Sequence, residues 1–217
     1  MKHFISLLIL LLAVVAATAQ ITHTATGGVD QGAQKVLRKA AAFFDGKPVS
    51  FTVTMVNYNT KKTETARATA QVLYSRGRYR VTAPQQVLYC DGKSVWHWNQ
   101  EAGEVVVNTL SAEEDNLLNP AHLLSTYEQS FRPKYIRTEA DGTAIVDLQP
   151  KKSKSYHKLR LAIAEKSGQL QRMEIHNYDG SRGEYRITGV KTGVRCSDPD
   201  FVFDTAAHRG VEIIDMR

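Results

Sequence analysis

Apolar residues along the chain follow two different periods. Between Asp30 and Pro48, Val36, Leu37, Ala40, Ala41, Phe43 and Phe44 recur three or four apart, which gathers them on one face of a helix. Asp30 is suited to cap its start, and Gly46 with Pro48 ends it. From Val49 the period becomes two. Val49, Phe51, Val53 and Met55 alternate with Ser50, Thr52 and Thr54, the pattern of a strand with one buried face. Similar stretches cover 49–58, 64–75, 77–83, 86–90, 94–99 and 104–109, then 134–139, 143–149, 156–164, 169–177, 183–193 and the region 201–214.

Turn signals separate these stretches: Asn59 to Lys62, Arg76-Gly77, Asp91-Gly92, Gly103, Asp141-Gly142, Ser167-Gly168 and Asp179-Gly180. Such short links make neighbouring strands pair antiparallel, and a meander this long curls rather than staying flat. The expected fold is therefore mainly β: an unclosed antiparallel β-barrel, one curled meander sheet, with an N-terminal helix and a short helical lid. The lid is the exception at 110–131. Ser111 with Glu114 resembles a capping box. Asn119 as N-cap, Pro120 at the first helical position, and Leu123, Leu124 and Tyr127 on one face describe a short helix. The apolar set Leu117, Leu118, Leu123 and Leu124 is costly to leave in water, each buried Leu being worth roughly 1.5–3 kcal/mol. Its natural seat is the mouth of the curled sheet.

The most distinctive hairpin runs from Val87 to Trp98. With Asp91-Gly92 as a two-residue turn, Cys90 opposes Lys93, Tyr89 opposes Ser94 and Val87 opposes Trp96. One face then carries Val87, Tyr89, Trp96 and Trp98, so both Trp residues of the chain share a side. That side is either the wall of an apolar cavity or ordinary core beneath the opening helix.

Ahead of all this, Lys2, the apolar run Phe4 to Ala17 and the small residues of Ala17-Thr18-Ala19 read as a cleavable signal peptide over 1–19, leaving one domain over 20–217. The apolar run is too short to span a membrane, and no Cys near the cleavage site offers a thiol for lipid attachment. The 217 residues, 42% hydrophobic and 23% charged, suit one globular domain. A net charge of +6 is compatible with acidic partners, anionic lipid surfaces or simple solubility, while export and the scatter of Lys and Arg argue against nucleic acid. Cys90 and Cys196 either bridge in an oxidising compartment or remain buried thiols.

Catalytic signatures are lacking. There is no HExxH, no GxSxG elbow, no phosphate-binding glycine loop and no cysteine-histidine cluster for a metal. His97, His157 and His176 fall on strands, where a satisfied or surface histidine is the ordinary reading. The expectation is a non-enzymatic protein without metal or cofactor.

Taken in order, these segments resemble the LolA-like lipoprotein carriers: Phe51-Thr52-Val53-Thr54-Met55, Arg76-Gly77-Arg78-Tyr79-Arg80, Asp91-Gly92-Lys93-Ser94-Val95-Trp96-His97-Trp98, Asn119-Pro120-Ala121-His122-Leu123-Leu124 and the ending Gly210-Val211-Glu212-Ile213-Ile214. The resemblance implies a monomer in the Gram-negative periplasm. It would take lipoproteins from an inner-membrane lipoprotein-releasing complex to an outer-membrane acceptor, with transient membrane contact. Lipoprotein acyl chains would lie against Phe51, Val53, Val87, Tyr89, Trp96 and Trp98, under a lid of Leu117, Leu118, Leu123, Leu124 and Tyr127. In that family a strand Arg before a Pro holds the lid. The nearest residue here, Arg76, precedes Gly77, so it is either that lock or a solvated turn residue. Lys151, Lys152, Lys154, Lys158 and Arg160 form a basic stretch that either meets an acidic partner or headgroups, or protects strand edges from aggregation. A rival on the same fold is a lipid- or lipoprotein-sensing module acting through a partner protein.

Overall fold

Asp30 starts the described part of the chain by capping α1, Gln31–Gly46, through a bond from the Ala33 amide to its Oδ1 at 2.9 Å. The computed structural model describes residues 30–110 and 120–217. The expected signal segment, Ser111 with Glu114, Leu117, Leu118 and Asn119 lie outside the described residues. Asp30 does a second job: its Oδ2 accepts the Tyr135 amide at 2.8 Å, fastening the start of α1 to a strand 105 residues away.

The strands are β1 (Val49–Tyr58), β2 (Glu64–Ser75), β3 (Arg78–Ala83), β4 (Gln86–Cys90), β5 (Ser94–Asn99) and β6 (Glu104–Thr109). After the helix α2, Pro120–Ser130, come β7 (Phe131–Thr138), β8 (Thr143–Pro150), β9 (Tyr156–Ala164), β10 (Leu170–Asn177), β11 (Arg182–Thr192) and β12 (Glu212–Asp215). They form one 12-stranded sheet in the order β12-β6-β5-β4-β3-β2-β1-β11-β10-β9-β8-β7. The expected mainly β, unclosed curled sheet is what forms. Its meander comes in two runs, β1–β6 and β7–β11, joined where β1 pairs antiparallel with β11. The chain passes between the two outer ends of the runs through the segment containing α2. Strand β12 then returns to pair parallel with β6, Ile213 opposite Val105.

Of the region 201–214, only 212–214 is strand, the first three residues of β12. Before it come a 3₁₀ turn, Asp198–Phe201, and an irregular strap. Asp204 accepts the Ala206 and Ala207 amides, a local bonding pattern that competes with a sheet ladder.

Both helices lie on one face of the sheet. Phe44 of α1 packs edge-on against Phe51 at 6.4 Å and Tyr74 at 5.8 Å. From there the core runs along the inner face through Val146, Leu148, Leu159, Leu161 and Met173. Close approach of the β9–β10 hairpin to α1 requires glycine at 168. Its φ is +79°, and a Cβ there would sit 2.4 Å from the Lys39 carbonyl oxygen.

Candidate functional site: an apolar trough under two helices

The trough is built by strand periodicity. Phe51 opposes Val72, which opposes Val81, and Tyr74 opposes Tyr79, which opposes Cys90, so alternate residues of β1 to β4 project toward the helices. Val53 lies among them at the edge of the cluster. Leu123 and Leu124 of α2 are about 1% exposed and Tyr127 is 4% exposed, all within this same cluster. The three expected lid residues that the structure describes therefore fill the trough themselves. Burial, then the neighbouring Glu128, pushes the Tyr127 phenol up to about 12.

Polar contacts at the rim hold α2. Gln34 Nε2 donates to Glu128 Oε1 at 3.0 Å, linking the two helices, and the Tyr127 hydroxyl donates to the same oxygen at 3.1 Å. The Lys151 amide donates to the Ser130 carbonyl at 2.8 Å, and Lys151 Nζ donates to the Glu128 carbonyl. Arg76 is exposed in the β2–β3 turn with φ +50°, and makes no hydrogen bond or ion pair with any described residue. The rim contacts to α2 come from Gln34, Glu128 and Lys151 instead. No periodicity or motif couples positions 34, 128 and 151, because the chain has to cross the whole sheet to bring them together.

The hairpin residues need a correction. Tyr89 pairs with Trp96 and Val87 with Trp98, two residues away from the expected register, because Asp91 to Ser94 forms a four-residue loop closed on Asp91 Oδ1. A shift of two keeps every side chain on its expected face, so Val87, Tyr89, Trp96 and Trp98 do share a side. That side faces away from the helices. Trp98 packs on Phe203 at 5.4 Å and His208 at 4.3 Å, and Tyr89 on Phe203 at 6.1 Å, so the C-terminal strap covers them. Trp98 Nε1 is buried there with no hydrogen-bond partner among the described residues. Arg78 anchors the strap by lying over the Phe201 ring at 4.7 Å and pairing with Asp198 at 2.5 Å. Of the six expected wall residues, only Phe51 and Val53 stand on the helix side. Cys90 also faces the trough, and neither it nor Cys196 is in a disulfide.

Further along the outer face, three buried carboxylates lie in one cross-strand row with Arg160 among them. Asp147 opposes Arg160, Arg160 opposes Glu174, and Glu174 opposes Glu184. Arg160 binds Asp147 through two bonds of 2.7 and 2.8 Å, with Lys158 3.5 Å away. Burial works against ionising Asp147, but Arg160 and Lys158 outweigh it and hold the carboxyl below its usual range. Arg182 bridges the two glutamates, 3.6 Å from Glu174 and 3.3 Å from Glu184, while Arg172 and His176 attend Glu174 and Arg186 attends Glu184. Burial pulls the His176 imidazole down despite its bond to Glu174. His176, one of the three strand histidines, is thus taken up by this network.

The family model described as "Outer membrane lipoprotein carrier protein LolA" matches residues 75–204. An outer-membrane lipoprotein carrier protein of Xanthomonas axonopodis pv. citri is 28% identical over 211 residues, 92% of this chain and 94% of its own. One from Actinobacillus pleuropneumoniae serotype 3 is 25% identical over 158 residues, 68% of this chain and 71% of its own. Among solved structures, an uncharacterized conserved protein from Thermus thermophilus superposes with a TM-score of 0.60 at 11% identity, covering 85% of this chain and 99% of that one. That last likeness concerns the fold alone.

Proposed function

Because the chain belongs to the LolA family of outer-membrane lipoprotein carriers, we propose that it is a periplasmic carrier. It shelters lipoprotein acyl chains in the trough and takes them from an inner-membrane releasing complex to an outer-membrane acceptor. The observation that supports this most directly is that Leu123 and Leu124 of a short, separately tethered helix fill the inner face of an unclosed sheet. A helix held by Leu123, Leu124, Tyr127 and a few rim bonds can leave without unfolding the strands.

The magnitudes favour exchange. The two leucines and Tyr127 returned to water cost about 4.5–9 kcal/mol, and each sheltered methylene returns about 0.8 kcal/mol. An acyl chain of about 6–11 methylenes therefore offsets the loss, and the long chains of bacterial lipoproteins exceed it. The same competition drives release, since α2 re-enters as cargo departs. No covalent step is involved.

The test is transfer of an acylated protein from donor to acceptor membranes by the purified protein, with acyl groups bound in transit identified by mass spectrometry. Leu123→Glu places a carboxylate where only apolar walls surround it, so the cover cannot reseat and delivery fails. Full transfer by that variant, or wild-type protein that carries no acyl chain, overturns the proposal.

A further inference from the structure

The outer face of β8, β9, β10 and β11, continued onto the ends of β1 and β2 near Tyr58 and Arg67, carries a network of ion pairs whose charges are sorted by depth. The side chains of Asp147, Glu174 and Glu184 are only 8%, 9% and 5% exposed, whereas those of Arg172, Arg182 and Arg186 are 39%, 33% and 50% exposed. Arg67 stands at the border, 47% exposed and held by Glu64, itself 40% exposed. Apart from Glu64, anions form the floor and cations the surface. With Lys158 and Arg160 the cations still outnumber the carboxylates. Five strand spacings give this patch a width of roughly 24 Å.

We propose that this face docks the protein on an anionic phospholipid surface. Two features favour a lipid surface over an acidic protein. A protein interface needs a desolvated apolar centre, and none of the large exposed hydrophobic residues interrupts the cation layer. At its border, Tyr178 stands 71% exposed in the β10–β11 turn beside His157, at 5.6 Å between rings. An amphipathic ring next to cations matches the headgroup zone of a bilayer, where Tyr settles and each Lys or Arg is attracted by the negative surface potential. Docking by this face leaves the trough, on the other side of the sheet, clear of the membrane plane. The inference does not depend on the carrier reading, because it needs no acyl chain inside the protein.

The experiment is sedimentation of the delipidated protein with vesicles of phosphatidylglycerol and phosphatidylcholine, against vesicles of phosphatidylcholine alone. Binding is expected only to the anionic vesicles and is lost at high salt. Each removed cation weakens partitioning about fivefold, so Arg67→Gln with Arg172→Gln lowers it about thirtyfold. Tyr178→Ser, at an exposed turn away from the core, lowers it a few-fold. Lys35→Gln, on the helix side, leaves it unchanged; melting curves confirm that each variant is folded. Equal binding to both vesicle types, or an equal loss with Lys35→Gln, overturns the proposal. Absence of binding to anionic vesicles also overturns it and leaves the face to an acidic protein.

Discussion

Leu124→Ala separates a movable cover from ordinary core. Leu124 is 1% exposed against the inner face. Burial of this depth makes Leu→Ala cost about 2–5 kcal/mol, and the lower part, about 2–3 kcal/mol, suits a short helix whose flanks can relax. If α2 leaves the trough when ligand enters, that cost falls on the covered state alone. The open population then rises about 30- to 160-fold, and the apparent affinity for an acyl chain rises by the same factor until the open form predominates. Calorimetric titration with a short acylated peptide below its aggregation concentration reads this directly, while circular dichroism confirms the folded fraction. A destabilised protein that binds its ligand more tightly is an unusual combination, and core packing alone does not produce it. Unchanged or weaker affinity in a fully folded Leu124→Ala protein refutes the reasoning.

Three further outcomes are expected. Asparagine at position 30 can accept only one of the two amides that Asp30 now holds, so Asp30→Asn lowers stability by about 1 kcal/mol in urea unfolding at neutral pH. The amides of Ala33 and then Tyr135 depress the folded Asp30 carboxyl, so its contribution is full above the unfolded value near ~4 and is lost as pH falls through the lower folded value; the variant's acid slope is correspondingly shallower. Arg182→Met leaves Glu174 and Glu184 as cross-strand neighbours without their shared cation, costing about 1–2 kcal/mol after allowance for solvent and the remaining arginines. Adding Glu174→Gln recovers part of that in the urea midpoint. Phe203→Ala loosens the strap, costing about 3–5 kcal/mol and raising collisional quenching of Trp98, whereas quenching groups carried on a bound acyl chain leave Trp98 fluorescence largely unchanged.

Local patterning was enough for most elements. The span of α1, its Asp30 cap, the start of α2 at Pro120 and nearly every strand follow from periods of 3.6 and 2 and from turn residues, all properties of neighbours in the chain. Leu123, Leu124 and Tyr127 were legible as a buried face for the same reason. The hairpin around Asp91 marks the limit. Alternation put Val87, Tyr89, Trp96 and Trp98 on one side even with the register two residues off, because a shift of two leaves side-chain faces unchanged.

Which side was interior could not be read there. Both faces of β4 and β5 carry apolar residues, Leu88, Cys90 and Val95 on one and Val87, Tyr89, Trp96 and Trp98 on the other, and what covers each comes from distant segments: the helices from 31–46 and 120–130, and the strap from around Phe203. The pairing of β1 with β11, the passage between the ends of the sheet and the Gln34–Glu128 contact are likewise long-range. Sequence by itself determined the elements and the grouping of side chains on their faces, since those depend on residues a few positions apart. Tertiary structure decided which face became the trough and which became a cationic exterior, since burial depends on what the rest of the chain lays over each surface.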